Sequence, residues 1–170
     1  MDNGARRHDR GQGGGMRLIV ALVVLAGLGS GPVPATAADY SAVRRGDVLG
    51  ALEVLHDWDE RRARAWANSD EVALRSLYVR GSAAARSDVR LLRSYTARGL
   101  VVRRMVTQVF GVRVLTREPG RLAIRVRDRV AGGLVDTGER DVALPSTRPA
   151  TRRIELRQVA GTWKVVAVTR

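Results

Sequence analysis

The spacing of hydrophobic residues changes near Leu100, and this change constrains the fold more than any other feature of the sequence. Before Leu100, apolar residues recur every three to four positions, as they do on one face of a helix. After it they alternate with polar residues, as in a half-buried strand. Helices followed by strands predict an α+β fold, in which the helices pack against a curved antiparallel β-sheet. The 170 residues suffice for one domain with a hydrophobic core.

The longest helical pattern runs from Val48 to Trp66, and we expect the sheet to curl around it. Asp47 would cap this helix, or the helix would begin earlier, near Ser41. Its apolar face also carries Asp59 and Arg62, which stand three residues apart and can pair. A carboxylate on an apolar face must find a partner or a proton. The pair therefore either lines an internal pocket or is a structural ion pair that fixes the helix orientation.

Two shorter helices are predicted between the long helix and the strands. Residues 68–70 would cap the first, which would end at Gly81, and a loop would span residues 81–86. Ser87 or Asp88 would cap the second. Tyrosines such as Tyr78 and Tyr95 are more often core residues than pocket donors. They nevertheless join a set of pocket candidates that comprises Asp59, Arg62, Trp66, Tyr78, Tyr95 and Asp128.

The second half of the chain predicts strands at residues 100–110 and 112–117, or one long strand bent by a bulge at Gly111. A turn at residues 118–120 leads to a strand at residues 121–130, whose apolar face carries Asp128. Arg62 is the expected partner of both Asp59 and Asp128. Residues 131–151 are rich in Gly, Pro, Thr and Asp and predict a long loop. A final hairpin is predicted from residues 154–159 and 162–168.

The charge of the chain is strongly positive, with a formal net charge of +13. Lys164 is the only lysine, and a GC-rich genome produces the same arginine bias, so the charge is a weak functional signal. One strand face carries Arg121, Arg125, Arg127 and Arg129. This face either binds polyanions or is simply solvated. The lack of interleaved aromatic residues for base stacking disfavours nucleic acid as the partner.

The amino-terminal segment predicts export. An apolar run at residues 18–28 is followed by the small residues Ala35 and Ala37, the pattern of a secretory signal peptide. We expect cleavage between Ala37 and Ala38. Residues 1–37 would then be the signal peptide, and residues 38–170 would form a single secreted, extracytoplasmic domain. Alternatively, residues 18–28 stay uncleaved and anchor the protein in the membrane, which would be its only membrane contact.

The residue inventory excludes several kinds of chemistry. The chain has no cysteine, so disulfides and thiol catalysis are excluded. After cleavage His56 would be the only histidine, which excludes a histidine-based metal site. We expect neither a cofactor nor a metal.

The mature chain resembles small exported actinobacterial members of the nuclear-transport-factor-2-like, or cystatin-like, superfamily. The resemblance lies in Trp58–Trp66, Leu77–Ser82 with Asp88, Leu91–Tyr95 with Arg98-Gly99, Val126–Asp128 and Gly161–Val165. It implies a conical pocket between the long helix and the sheet, which in other branches of the superfamily performs isomerase, dehydratase or cyclase chemistry. The ketosteroid-isomerase-like members place a catalytic acid after their second helix, but no Asp or Glu lies between Val72 and Ser87. The hairpin expected between the second and third helices is also short or missing.

Three functions remain open from the sequence. The first is a non-catalytic exported domain that binds a small apolar ligand or a protein partner at the cell envelope. The second is a small-molecule isomerase-like or dehydratase-like enzyme that uses Asp59 or Asp128 as a general base. The third is a polyanion-binding module. Dimers are common in the superfamily, but the sequence does not fix an oligomeric state.

Overall fold

The computed structural model describes residues 35–170, with side chains from residue 45 onward, and a long helix is its longest element. In this range α1 (Ala35–Ala67), α2 (Glu71–Ser76) and α3 (Ala83–Thr96) precede the strands. The strands are β1 (Val101–Glu118), β2 (Arg121–Asp136), β3 (Asp141–Leu144), β4 (Ala150–Val159) and β5 (Thr162–Thr169). They form one antiparallel sheet in the order β1-β2-β4-β5, with β3 paired to β2. The predicted α+β class is confirmed.

Helix α1 begins at Ala35, so both predicted starts, Asp47 and Ser41, are wrong. Gly46 and Gly50 lie within α1 and do not end it, because a glycine inside a helix costs only about 1 kcal/mol of stability relative to alanine. Its buried side chains are Ala51, Leu55, Trp58, Ala65 and Trp66. Among the described helices, none combines the length and the apolar character needed to cross a bilayer.

The expected signal-peptide boundary lies at the edge of the described range. Residues 1–34, which include the apolar run at 18–28, lie outside it. Ala37 and Ala38 belong to the first turn of α1. Cleavage between them would leave a helix that begins at Ala38. The signal peptide and the alternative anchor therefore stay predictions.

The two short helices have boundaries other than those predicted. Asp70 caps α2 as expected, accepting a hydrogen bond from the Ala73 N–H at 2.8 Å, but α2 ends at Ser76. Helix α3 is capped by Ser82 rather than by Ser87 or Asp88, and most of the predicted 81–86 loop is helical. Sequence cannot choose between serines that cap equally well, whereas packing places Asp88 inside the helix.

The first two strands form a long hairpin across a turn at residues 119–120, one residue shorter than the predicted turn at 118–120. Strand β1 is continuous, and its register shifts between Val109 and Gly111, where a bulge was predicted. Further shifts lie between Arg103 and Val106, between Val106 and Thr107, and between Val114 and Thr116. Bulges increase local twist and bend a strand, and here they let the sheet curve around α1.

The predicted loop at residues 131–151 is wrong. Strand β2 runs on to Asp136, β3 returns along it, and β4 already begins at Ala150. Glycine and threonine in this stretch suggested a loop. However, pairing on both sides supplies the backbone hydrogen bonds that hold such residues in a sheet. The final hairpin, β4 and β5, confirms its prediction.

The connection between α2 and α3 joins the helices to the sheet. It is short, as predicted, and contains one isolated bridge, between Tyr78 and Val165. The Val165 N–H donates to the Leu77 carbonyl and the Val79 N–H donates to the Val165 carbonyl, both at 2.9 Å. The Leu77 carbonyl also accepts the indole N–H of Trp58 at 3.1 Å. The Leu77 carbonyl, in the segment between α2 and α3, thus binds donors from both α1 and β5.

Trp58→Phe tests this connection, because it keeps an aromatic ring but removes the indole donor. The Leu77 carbonyl retains its bond from Val165, so no buried acceptor is left unpaired. We expect a loss of about 1–2 kcal/mol in the free energy of unfolding, measured by urea denaturation. Trp163→Phe, at a half-buried position, is the control and should cost less. Equal losses would show that the Trp58 hydrogen bond adds nothing to stability.

Candidate functional site

Three side chains, from α1 and from the connection between α2 and α3, meet at the buried carboxylate of Asp88. The Arg62 guanidinium donates from Nε to Oδ2 at 2.7 Å and from Nη2 to Oδ1 at 2.6 Å. The Tyr78 hydroxyl donates to Oδ2 at 2.7 Å, and the Trp66 indole donates to Oδ1 at 3.3 Å. Arg62 and Trp66 lie one turn apart on α1, Tyr78 lies in the connection, and Asp88 lies on α3. We call these four residues the Asp88 cluster.

The ionisation states in the Asp88 cluster follow from burial and from this pairing. Burial alone would lower the pKa of Arg62, but the hydrogen bonds and the charge of Asp88 outweigh it and raise the pKa. Burial raises the pKa of Tyr78, and the negative charge of Asp88 raises it further. Arg62 is therefore a permanent cation and Tyr78 a neutral donor. The cluster is a bidentate ion pair with two additional donors.

Aromatic rings surround the Asp88 cluster. Trp58 packs edge-on against Tyr78, and Trp66 packs edge-on against Tyr95, each with ring centroids 5.6 Å apart. The Arg62 guanidinium lies 5.6 Å from the centre of the Trp66 ring. Tyr95, a pocket candidate, thus supports the ring of Trp66. Such contacts exclude water, which strengthens the ion pair that they enclose.

A second group of polar side chains lies where α1 faces the sheet. Asp128 is buried on the inner face of β2, and Arg152 from β4 donates to both of its carboxylate oxygens, with Nε at 3.0 Å from Oδ1. Asp59 on α1 is half-buried. Burial raises the pKa of Asp59, a hydrogen bond from Thr107 and the charge of Arg62 oppose the rise, and Asp128 adds to it. We call Asp59, Thr107, Asp128 and Arg152 the Asp59–Asp128 group.

The structure therefore separates candidates that were expected to act together. Arg62 was expected to pair with Asp59 and Asp128, but it pairs with Asp88, and Asp128 pairs with Arg152. The sequence assigned Asp88 to a helix cap and so missed it as an interior carboxylate. Its signal was present, because Ala85, Asp88, Val89 and Leu92 share one helix face and are all buried.

An open cleft of about 350 Å³ lies at the turn between β1 and β2. It is lined by Arg117, Glu118, Pro119, Gly120, Leu122 and Trp163. None of the six pocket candidates lines it. Arg117 there also contacts α1, through the Asp47 carbonyl at 3.2 Å. The cleft and the interior carboxylates are thus separate features of the fold.

The polyanion-face candidates lie on the outer side of β2. The arginine side chains point away from the core, on the opposite face of β2 from the buried side chains of Leu122, Ile124 and Val126. The guanidinium groups of Arg127 and Arg129 lie 5.7 and 5.6 Å from the ring centre of Phe110. Arg129 also donates to Gln108 at 2.9 Å. Arg125 is exposed, and Arg121 lies 3.8 Å from Glu118.

Comparisons with known proteins give similarity in fold alone. No protein-family model matches the chain, and no curated protein matches it. Among solved structures, Aln2 from a Streptomyces species aligns over 71% of this chain and 88% of its own, at 12% identity and a TM-score of 0.48. The intermembrane space region of chloroplast protein ARC6 aligns over 72% of this chain and 94% of its own, at 12% identity and a TM-score of 0.48.

An NTF2-like protein with a cystatin-like fold from Novosphingobium aromaticivorans aligns over 81% of this chain and 89% of its own. Its identity is 16% and its TM-score 0.43. The element order and the antiparallel sheet confirm the predicted arrangement of helices followed by a sheet.

Asp88→Asn tests whether the Asp88 cluster is structural. The substitution leaves the Arg62 charge buried without a counter-charge, and removing one partner of a buried pair costs about 3–5 kcal/mol. We expect that loss in the free energy of unfolding at pH 7, measured by urea denaturation. Glu71→Gln is the control, because the Arg93–Glu71 pair is similarly short at 2.7 Å but exposed to solvent, and it should cost far less. A similar loss in both variants would contradict a stabilising role specific to the cluster.

Proposed function

We propose that this chain is an exported, non-catalytic domain that binds a ligand or a protein partner at the cell envelope. The observation that carries the proposal is that the two buried carboxylates, Asp88 and Asp128, are already engaged by donors of the protein. Asp88 accepts four hydrogen bonds, and Asp128 is held by Arg152. A general base needs an open lone pair within about 3 Å of the substrate proton.

Catalysis through the Asp88 cluster would also lower the stability of the fold. A proton transferred to Asp88 would leave the Arg62 cation buried beside a neutral acid, which is unfavourable. The raised pKa values of Arg62 and Tyr78 show that neither residue supplies a proton near neutral pH. The cluster therefore supports a rigid binding domain better than an acid–base site.

Export is supported by the apolar run at residues 18–28 and the small residues before Ala38. The measurement is amino-terminal sequencing of the protein recovered from the medium and the envelope of expressing cells. We expect a chain that begins at Ala38. A chain that keeps residues 18–28 and sediments with membranes would support the anchor instead, and a chain confined to the cytoplasm would contradict export.

The second candidate function is a small-molecule enzyme, and the raised pKa of Asp59 favours it. A half-buried carboxylate with a raised pKa is a feature that general bases share. A thermal-shift screen of the chain against apolar small molecules and anionic polymers separates the two functions. A ligand that binds only the native state stabilises it by about 2.7 kcal/mol at one hundred times its dissociation constant. Chemical conversion of a stabilising compound, lost in Asp59→Asn, would overturn the non-catalytic proposal.

The pH dependence of stability tests the environment of Asp59. Its pKa is raised in the folded state, so the native protein keeps a proton that the unfolded chain has already released. Stability therefore falls as pH rises from the unfolded pKa through the raised native pKa. Asp59→Asn cannot ionise and should avoid this loss. We expect its free energy of unfolding, relative to the unmodified chain, to increase through that window and then level off. A difference that stays constant with pH would contradict the raised pKa.

A further inference from the structure

The outer face of the sheet carries cations that oppose one another directly across the strands. Arg125 on β2 is paired in register with Arg113 on β1 and with Arg153 on β4. Nearer the β1–β2 turn, Arg157 on β4 is paired with Arg121 on β2 and with Lys164 on β5. We call these two sets the cation rows. Side chains at paired positions point to the same side of a sheet, so each row places three cations within about 10 Å.

The cation rows are poorly neutralised by the protein itself. Two carboxylates lie beside them, Glu118 at 3.8 Å from Arg121 and Glu155 at 3.0 Å from Arg153. Among residues 45–170, whose side chains the structure describes, no carboxylate lies within 4.0 Å of Arg113, Arg125, Arg157 or Lys164. Apart from the half-buried Lys164, every member of the rows is exposed. Like charges directly opposite each other destabilise a sheet, so the folded chain bears a repulsion that a bound polyanion would relieve.

We propose that the outer sheet face binds a linear, phosphate-bearing polymer of the cell envelope, with the cation rows and Arg127 as its contacts. The inference rests on the proposed binding function and names the partner. Arginine suits this task because its planar guanidinium donates two parallel hydrogen bonds to one phosphate. Five of the six cations in the rows are arginines.

Two other polyanions fit the face less well. Single-stranded nucleic acid gains much of its affinity from bases stacked on aromatic rings. Phe110 points to the outer face, but the guanidinium groups of Arg127 and Arg129 already lie over its ring. A flat lipid bilayer would touch the outer side of a curved sheet along a strip only. A flexible polymer with charges but no bases can follow the curve.

The test is binding of the purified full chain to labelled poly(glycerol phosphate), measured by fluorescence anisotropy over a series of salt concentrations. The variant R113Q/R125Q/R153Q removes one cation row. The matched control is R45Q/R80Q/R90Q, which removes the same charge from exposed helix-side and connection positions. We expect the row variant to bind at least about tenfold more weakly, with a shallower dependence on salt, and the control to bind within about threefold of the original chain.

Stability provides an independent readout that misfolding would not mimic. Because removing one row removes repulsion between opposed cations, the row variant should melt at the same temperature or higher. Weaker binding with a preserved or raised melting temperature supports the proposal. Equal weakening in the control variant would show that binding follows net charge alone and would overturn it. Unchanged binding in the row variant would overturn it as well.

Two further arms identify the class of polymer. A thymidine oligonucleotide and vesicles containing phosphatidylglycerol, at matched phosphate concentration, should bind more weakly than poly(glycerol phosphate). Tighter binding to either one would overturn the choice of polymer in favour of that ligand. The proposed function fails separately, through conversion of a compound or confinement of the chain to the cytoplasm, neither of which the polymer assay measures. If the chain binds another ligand without converting it but does not bind the polymer, this inference is overturned and the proposed function is not.

Discussion

The bidentate pair between Arg62 and Asp88 is the interaction on which the arrangement of the helices depends. It joins α1 to α3, and the Tyr78 hydroxyl brings the connection between α2 and α3 to the same point. The side chains of Arg62 and Asp88 are only 18% and 8% exposed, so the pair is largely shielded from solvent. Taking two charges out of water costs several kcal/mol per ion, and only good geometry with additional donors offsets that cost. Tyr78 and Trp66 supply those donors, which makes the helix positions interdependent.

The sheet divides the polar chemistry of the protein between its two faces. On the inner face, charge is scarce and paired: Asp128 meets Arg152. On the outer face, cations are numerous and stand opposite one another. A buried charge on the inner face needs a partner, because burying an unpaired charge costs too much free energy. The cations of the outer face are exposed to water, which weakens the repulsion between them. They remain accessible to a ligand.

The sequence predicted the elements that depend on local pattern and missed those that depend on distant partners. The change of period at Leu100, the bulge at Gly111 and the β4–β5 hairpin follow from local spacing, and the structure confirms them. The extension of β2 to Asp136 could not be predicted, because it depends on strands paired on both sides. Arg62 could be recognised as an interior charge. Its partner could not, because two inward carboxylates were visible, whereas Asp88 resembled a helix cap.

The bridge between Tyr78 and Val165 has a consequence for the order of folding. Val165 is fully buried, and its backbone completes two hydrogen bonds with the connection between α2 and α3. The connection between α2 and α3 is therefore held by β5, which is synthesised after every other element described above. Contacts between residues so far apart in sequence slow folding, because the chain must close a large loop before it gains them. Until β5 emerges, α1 can already pack against β1, but the connection between α2 and α3 lacks these two hydrogen bonds. The connection therefore docks onto the sheet only after β5 has left the ribosome.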